Sequence, residues 1–283
     1  MKAPRVSVAD IRAFEERNQF SVHDFARRAA ERYPGVVGAG YRLATEADGV
    51  RPGLALDLLV AGRDDIQQAS RLDAPAGRPV VTSRFGTVKL LARTDRLARP
   101  IRGGAAVGTA PYGTTGTFSC RAHRGAGGKR EYFLLSCAHV LDPNRSMADT
   151  VVVQPSVPFD ATYAGNEVAD LVAVHPISFG GTTNYVDAAI AAVRPGMVRS
   201  GVMGAGSVKS WRRTSDVYIG MNVLRSGINS PVINRGVVTR LSTSVQVNFG
   251  GNLAWFADLI VTTDIAFGGD SGRARHSVRA GAS

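Results

Sequence analysis

Cysteine is scarce in this sequence, because only Cys120 and Cys137 occur among its 283 residues. Two cysteines cannot build the multi-bridge framework of a disulfide-rich secreted domain, and a reducing compartment keeps them as thiols. They flank a segment that we predict to be a β-hairpin, CRAHRGAGGKREYFLLSC. We therefore expect two small buried thiols and no disulfide.

Long apolar runs are also missing. No stretch approaches the roughly 20 apolar residues that are needed to span a bilayer. The first residues, MKAPRVSVADIRAFEERNQF, contain no apolar core followed by a small-residue cleavage site. We predict neither a membrane segment nor a signal peptide, and hence a cytoplasmic location.

Acidic residues are too few to balance the basic ones: 23 Asp and Glu stand against 34 Lys and Arg, which gives a net charge of +11. Such an excess can indicate a nucleic-acid partner, but the arginines are scattered and no RNA-binding signature accompanies them. We expect a solvated basic surface rather than nucleic-acid binding. No Cys/His cluster has zinc spacing, and no glycine-rich loop has a phosphate-binding pattern. We therefore predict no metal and no cofactor.

The chain has two parts that differ in their sequence patterns. Near the N-terminus, Ser7 with Asp10 and Ser21 with Asp24 have the spacing of helix-capping boxes, and apolar residues follow at helical intervals. Strand-like runs such as GVVGAGYRLAT and GLALDLLVAG come next, so residues 1–102 are predicted to form a small α/β module. From residue 103, short β-rich runs alternate with turn residues, which is typical of an all-β barrel or sandwich.

Three residues in the second part point to nucleophilic catalysis. His139 follows an apolar run in LLSCAHVL, Asp187 is predicted to lie inside a strand in YVDAAIAAV, and Ser271 belongs to GGDSG. Serine needs a neutral imidazole to take its proton, and a buried carboxylate fixes the imidazole tautomer. The order His, Asp, Ser is that of the chymotrypsin type of serine enzyme.

The glycines around the serine suit an anion-binding loop. Gly269 can adopt a positive φ, so we predict that the N–H groups of Gly269 and Ser271 form an oxyanion hole. Asp170, in VADLVAV, is the rival to Asp187 as the third member, but its place in the alternation predicts a solvent-facing side chain.

Several motifs carry a resemblance to a known family. CAHV, VDAAIA and GGDSG resemble the triad segments of the trypsin-like (chymotrypsin-fold) serine peptidases. RPIRGGAAVG, GTTGTFSC and VLRSGINSPVINRGVVTRL are similar to the linker and strands of the bacterial and plant narrow-leaf-type subgroup. The resemblance implies a double β-barrel with the active site in the cleft and hydrolysis of a protein or peptide substrate. It also implies that a buried cationic or polar partner holds Asp270.

The resemblance further divides residues 103–283 into a first barrel of about 103–198 with His139 and Asp187, and a second of about 199–272 with Ser271. The last stretch, RARHSVRAGAS, lacks the alternation that would fill a barrel. We therefore predict an irregular tail over residues 273–283 and an incomplete second barrel. Two functions stay open: a serine endopeptidase, or a catalytically impaired trypsin-like protein that acts as a protein-binding module.

Overall fold

The structure is a computed structural model. It describes residues 5–33, 35–62, 77–84, 97–110, 112–143, 145, 150–156, 165–228, 230–263 and, for the backbone, 275–277. The helices are α1 (Val8–Asn18), α2 (Val22–Arg32) and the single turn α3 (Ala138–Leu141). The strands are β1 (Val36–Ala44), β2 (Gly53–Val60), β3 (Val80–Arg84), β4 (Ile101–Gly103), β5 (Ala106–Ala110), β6 (Gly116–Thr117), β7 (Cys120–Arg124), β8 (Glu131–Ser136), β9 (Val151–Val153), β10 (Glu167–Val174), β11 (Thr183–Asn184), β12 (Ala189–Val193), β13 (Val198–Val202), β14 (Asn222–Gly227), β15 (Ser230–Phe249), β16 (Asn252–Thr262) and β17 (Arg275–Ser277). The prediction of a mainly β chain with a small N-terminal helical part is confirmed.

The two N-terminal helices begin where the serines predict. Ser7 accepts the N–H of Asp10, and the Asp10 carboxylate accepts the N–H of Ser7, so the capping box of α1 is complete. At α2, Ser21 accepts the N–H of Asp24 at 3.2 Å. Each helix has 11 residues, and in the described part of the chain no helix combines the length and the apolar character that crossing a bilayer requires.

One sheet closes into a barrel. Its strand order is β6-β5-β9-β10-β12-β8-β7, and its first and last strands are consecutive pieces of one segment. Where they meet, Phe118 donates its N–H to the carbonyl of Ala105, and Ser119 donates its N–H to the carbonyl of Leu135, both at 2.9 Å. The segment thus pairs with β5 at one end and with β8 at the other, and closure removes the exposed strand edges.

The interior of this barrel is filled with apolar side chains. Those with no exposed surface include Val107, Phe118, Leu134, Val152, Val168 and Ala191. The strands of the barrel lie between residues 106 and 193, within the range that the resemblance implies for a first barrel.

The other large sheet stays open among the described residues. Its order is β11-β16-β15-β1-β2-β3, with β14 paired to β15 and β17 paired to β14. The backbone of β17 comes from the segment that we predict to be an irregular tail, and it runs antiparallel to β14 with Leu224 opposite His276. The rest of that segment lies outside the described residues. β4 and β13 form a small parallel pair beside the two sheets.

The N-terminal strands belong to the same sheet as the C-terminal ones. β1 pairs antiparallel with β15, with Gly38 opposite Val245, and α1 and α2 pack their apolar residues against this sheet. The approach is close, because a Cβ on Gly38 would meet the Ser244 carbonyl at 2.3 Å and one on Gly40 would meet Thr243 Oγ1 at 2.3 Å. The strands β1, β2 and β3 therefore extend the second sheet.

A buried ionic network joins three strands of this sheet. Asp57 on β2 has no exposed side-chain surface and pairs with Arg240 of β15 and, at 3.3 Å, with Arg42 of β1. Arg42 also donates to Asp48 at 2.5 and 3.0 Å. A carboxylate with no access to water is tolerable only when it is paired, so the two arginines are what allow Asp57 to be charged inside the sheet.

His23 connects α2 to the same sheet. Its Nδ1 lies 2.6 Å from Ser244 Oγ and its Nε2 lies 2.7 Å from Thr183 Oγ1. Ser244 Oγ donates its hydrogen to the Phe256 carbonyl at 3.2 Å, so it accepts from His23, and Thr183 donates to Nε2. Both ring nitrogens are satisfied in the neutral ring, which also packs edge-on against Trp255.

We expect the fold to lose stability as His23 becomes protonated. Burial holds the pKa of His23 below its usual value of 6.5; the charge of Asp24 raises this pKa and that of Arg27 lowers it, both to a smaller extent. The unfolded chain therefore takes up the proton first, and the free energy of unfolding falls as the pH drops below about 6.5. Urea unfolding across this range should show a smaller decrease for His23→Gln than for the parent chain. An equal decrease in both proteins would contradict the prediction.

Candidate active site

His139 is placed by the end of a barrel strand. β8 ends at Ser136, whose buried hydroxyl donates to the Thr117 carbonyl at 2.9 Å. The chain then turns into α3, and the Val140 carbonyl accepts the hydroxyl of Thr114 at 2.8 Å. Both ends of the short segment are thereby anchored to the barrel, so the direction of the His139 side chain is fixed by structure around it.

Asp187 lies just before a strand rather than inside one. The sequence predicts it within a strand, but β12 begins at Ala189. The physical reason is visible in its hydrogen bonds: the carboxylate turns toward α3 and accepts from His139, while the next residue, Ala188, accepts the N–H of His175 at 2.8 Å. Val186, the apolar residue directly before it, is 42% exposed.

The carboxylate of Asp187 holds His139 at two points. Oδ2 lies 2.5 Å from Nδ1 of the ring, and Oδ1 accepts the backbone N–H of His139 at 3.2 Å. A carboxylate partner at Nδ1 favours the tautomer with hydrogen on Nδ1. Nε2 is then left as the basic nitrogen of the ring.

Asp187 is a half-buried carboxylate that stays ionised. Burial raises its pKa, but the hydrogen bond and charge of His139 together with the backbone N–H groups of His139 and Ala138 lower it more, so the pKa lies below its usual range. Hydrogen bonds to the charged form have this effect in general. The site therefore holds a carboxylate rather than a carboxylic acid at neutral pH.

A pocket of about 470 Å³ opens beside His139. The hairpin that connects β15 to β16 reaches across from the open sheet, and its Phe249 packs against the imidazole with ring centres 5.5 Å apart. Phe179 meets Phe249 edge-on, and the Arg145 guanidinium lies 4.1 Å above the ring of Phe179. Ile177 completes the apolar wall. The pocket thus lies between the closed barrel and the open sheet.

The other residues that the sequence singles out have different places. Ser271, Gly269 and Asp270 lie outside the described residues. Asp170 on β10 pairs with Arg194 at 2.7 and 3.0 Å, and half of its side chain is exposed. It takes no part in the His139 contact, so Asp187 is the carboxylate that the fold brings to the imidazole.

Sequence reasoning missed Phe249, Phe179 and Arg145 as parts of the site. Phe249 stands directly before a Gly-Gly pair at the tip of a hairpin. An aromatic residue beside a turn was the available signal, but no local pattern says which distant surface the turn reaches.

Both cysteines are half-buried thiols, and neither forms a disulfide. Burial raises the pKa of Cys120 above its usual value, so this thiol stays protonated at neutral pH. Cys137 caps α3 two residues before His139, and the sequence gives it no role in the site.

Several solved structures resemble this chain at low sequence identity. No protein-family model and no curated protein matches the chain. A glutamic acid specific serine protease that "utilizes a novel histidine triad in substrate binding" is 21% identical, over 62% of this chain and 79% of its own, with a TM-score of 0.41. Nocardiopsis protease is 19% identical over 62% and 78%, with a TM-score of 0.41. Cellulomonas bogoriensis chymotrypsin is 20% identical over 62% and 77%, with a TM-score of 0.39.

The three similar structures named above are proteases. Their identities and TM-scores are low, and they assign no role to His139 or Asp187.

Proposed function

We propose that the chain is a serine endopeptidase in which His139 is the general base, Asp187 orients it and Ser271 is the nucleophile. The observation that carries the proposal is the doubly held His139, with Nδ1 2.5 Å from a half-buried, ionised carboxylate and an apolar pocket alongside. Every Ser-His-Asp triad needs an imidazole base and a carboxylate that orients it, whichever serine the base activates. The GGDSG motif supplies that serine in the sequence.

The chemistry proceeds through two proton transfers at one nitrogen. Nε2 of His139 takes the proton of Ser271 Oγ as the hydroxyl attacks the peptide carbonyl, and Asp187 stabilises the imidazolium. The N–H groups of Gly269 and Ser271 are proposed to donate to the oxyanion. Nε2 then gives its proton to the departing amine. Water repeats the sequence on the acyl-enzyme and releases the acid.

Arg225 is the proposed partner of the Asp270 carboxylate. Its side chain lies on β14, and the residue is only 2% exposed. A guanidinium so deeply buried requires an anion nearby. Asp270 precedes Ser271 in the motif that the resemblance associates with a buried cationic partner, so pairing with Arg225 would hold the oxyanion loop in its working shape.

The pocket beside His139 is proposed to take an apolar side chain of the substrate. Phe249, Phe179 and Ile177 supply flat apolar walls, and Arg145 leaves a positive charge at the rim. Burying an apolar substrate group here removes its surface from water next to the reacting atoms. A polypeptide segment with an apolar residue near the scissile bond is therefore the proposed substrate class.

Removal of the Phe249 ring should affect peptides more than small esters. Phe249→Ala deletes an apolar wall, and a lost pocket contact of this kind reduces kcat/KM by about 10-fold or more. A small activated ester has no side chain to place there, so its hydrolysis should change little. Leu253→Ala, on the same hairpin but 47% exposed, is the matched control. Equal losses for ester and peptide would show that the ring supports the site without binding substrate.

A fluorophosphonate probe tests the proposed function directly. We expect covalent labelling of the full chain and loss of that labelling in Ser271→Ala, because the probe reacts with serines activated by a base. Labelling that survives in Ser271→Ala would remove this serine from the mechanism. A folded chain that binds peptides without being labelled would instead be the impaired, protein-binding alternative.

A further inference from the structure

A thiol lies beside the proposed catalytic pair, and the proposed mechanism does not use it. One sulfur, one ring nitrogen and one carboxylate oxygen, from Cys137, His139 and Asp187, all lie within 4.8 Å of one another. The side chains of His139 and Asp187 are 30% and 18% exposed, and Cys137 is half-buried. None of the three residues is fully buried.

We propose that Cys137, His139 and Asp187 bind Zn²⁺, and that the bound ion switches off the His139 base. The binding part of this proposal stands on the three donor groups alone. The inhibitory part rests on the proposed peptidase function.

The donor set suits zinc in type and in charge. Thiolate, imidazole and carboxylate are the three kinds of side chain that bind Zn²⁺ in proteins. One thiolate and one carboxylate together neutralise a divalent cation, which matters at a half-buried position where an unbalanced charge is costly. Three protein ligands also leave a fourth position for water. Ligand distances of about 2.0–2.3 Å place two ligand atoms of a tetrahedral site roughly 3.3 Å or more apart, so Nδ1 and Oδ2, which lie 2.5 Å apart, have to separate slightly to admit the ion.

The fold holds the donors in place before any ion arrives. Cys137 follows directly on the last residue of β8, where the Ser136 hydroxyl donates to the Thr117 carbonyl of β6. The backbone N–H of His139 donates to Asp187 at 3.2 Å, so the loop that carries the carboxylate is attached to α3. Such preorganisation lowers the entropy that a metal site loses on binding.

The chemistry of each ligand determines where its proton goes when zinc binds. Cys137 releases its thiol proton to solvent, because only the thiolate is a ligand. Nδ1 of His139 gives up the hydrogen that it shares with Asp187 and donates its lone pair to the ion, while Nε2 takes a hydrogen, so the ring stays neutral. Nε2 is the nitrogen that would accept the serine proton, and with a hydrogen of its own it cannot act as a base.

Cobalt(II) is the probe for the binding part, because a Co–S bond gives a charge-transfer absorption band and zinc is spectroscopically silent. Titration of the reduced full chain should produce this band in the parent chain and in Cys120→Ser, the matched control with the other thiol removed. Cys137→Ser and Cys137→Ala, each with an unchanged circular dichroism spectrum, should lack the band. Zn²⁺ should displace the cobalt and should bind at least about 10-fold more weakly to both Cys137 variants, since even loss of an outer-shell contact costs that much.

Absence of the band in the parent chain would overturn the proposal, and so would a band that persists in Cys137→Ser or disappears in Cys120→Ser. The inhibitory part is read separately, as the ratio of fluorophosphonate labelling with and without Zn²⁺ in each protein. Labelling should fall with Zn²⁺ and recover with chelator in the parent chain, and should fall less in Cys137→Ser. A cobalt band without any labelling would keep the metal site and reject the peptidase, whereas labelling without a band would do the reverse.

Discussion

Asp187→Asn should slow the labelling of Ser271 by a fluorophosphonate about 10⁴-fold, the loss that follows from the wrong imidazole tautomer in a Ser-His-Asp triad. An asparagine can turn its amide N–H₂ toward Nδ1, which places the ring hydrogen on Nε2 and removes the base. The carboxylate in question lies 2.5 Å from Nδ1 of His139. Rate constants from gel-resolved labelling time courses measure the effect.

Asp170→Asn is the matched control for that experiment. Asp170 was the rival acid on sequence grounds, and the structure pairs it with Arg194 on an exposed part of the barrel. Its variant should be labelled at the rate of the parent chain. A large loss of labelling rate in Asp170→Asn together with a small loss in Asp187→Asn would show that Asp170 orients His139. That outcome would reject the proposed triad.

Asp57→Asn should lower the free energy of unfolding by about 3–5 kcal/mol, the usual loss when one partner of a buried ionic group is removed. The Asp57 side chain has no exposed surface, and its two arginine partners come from neighbouring strands. Asparagine keeps the shape but leaves the positive charges of Arg42 and Arg240 without their central counter-charge. Urea unfolding at neutral pH, followed by circular dichroism, gives the difference.

Asp170→Asn is again the control, because it breaks an ion pair whose side chains are 50% and 38% exposed. Exposed pairs contribute roughly 0–1 kcal/mol, so this variant should unfold close to the parent chain. If both variants lost the same small free energy of unfolding, removal of the buried Asp57 charge would not have the cost that we assign to it.

Local patterns were enough to predict the two N-terminal helices. Ser7 and Ser21 begin their helices because a serine oxygen accepts an N–H three residues on, a relation that lies within one turn. The capping signals are short in range, so they can be read directly from the sequence.

The remaining features depend on contacts between distant parts of the chain. The approach of Phe249 to His139 and the pairing of β1 with β15 join segments that no periodicity connects. The position of Asp187 ahead of β12 rather than inside it depends on the hydrogen bonds that its carboxylate makes to α3. His23 lies in the first turn of α2, and only the tertiary structure gives it Ser244 and Thr183 as partners.

The union of β1 and β2 with β15 in one sheet has a consequence for biosynthesis. Asp57 and Arg240, which meet in that sheet, are 183 positions apart in the chain. A ribosome must therefore release most of the polypeptide before the first two long strands find their neighbour, while the closed barrel between them can already assemble. Contacts between residues so far apart in the sequence form slowly. Apolar strand edges that are still unpaired are prone to aggregate. Nascent chains stalled short of β15 should thus depend on chaperones in a way that full-length chains do not.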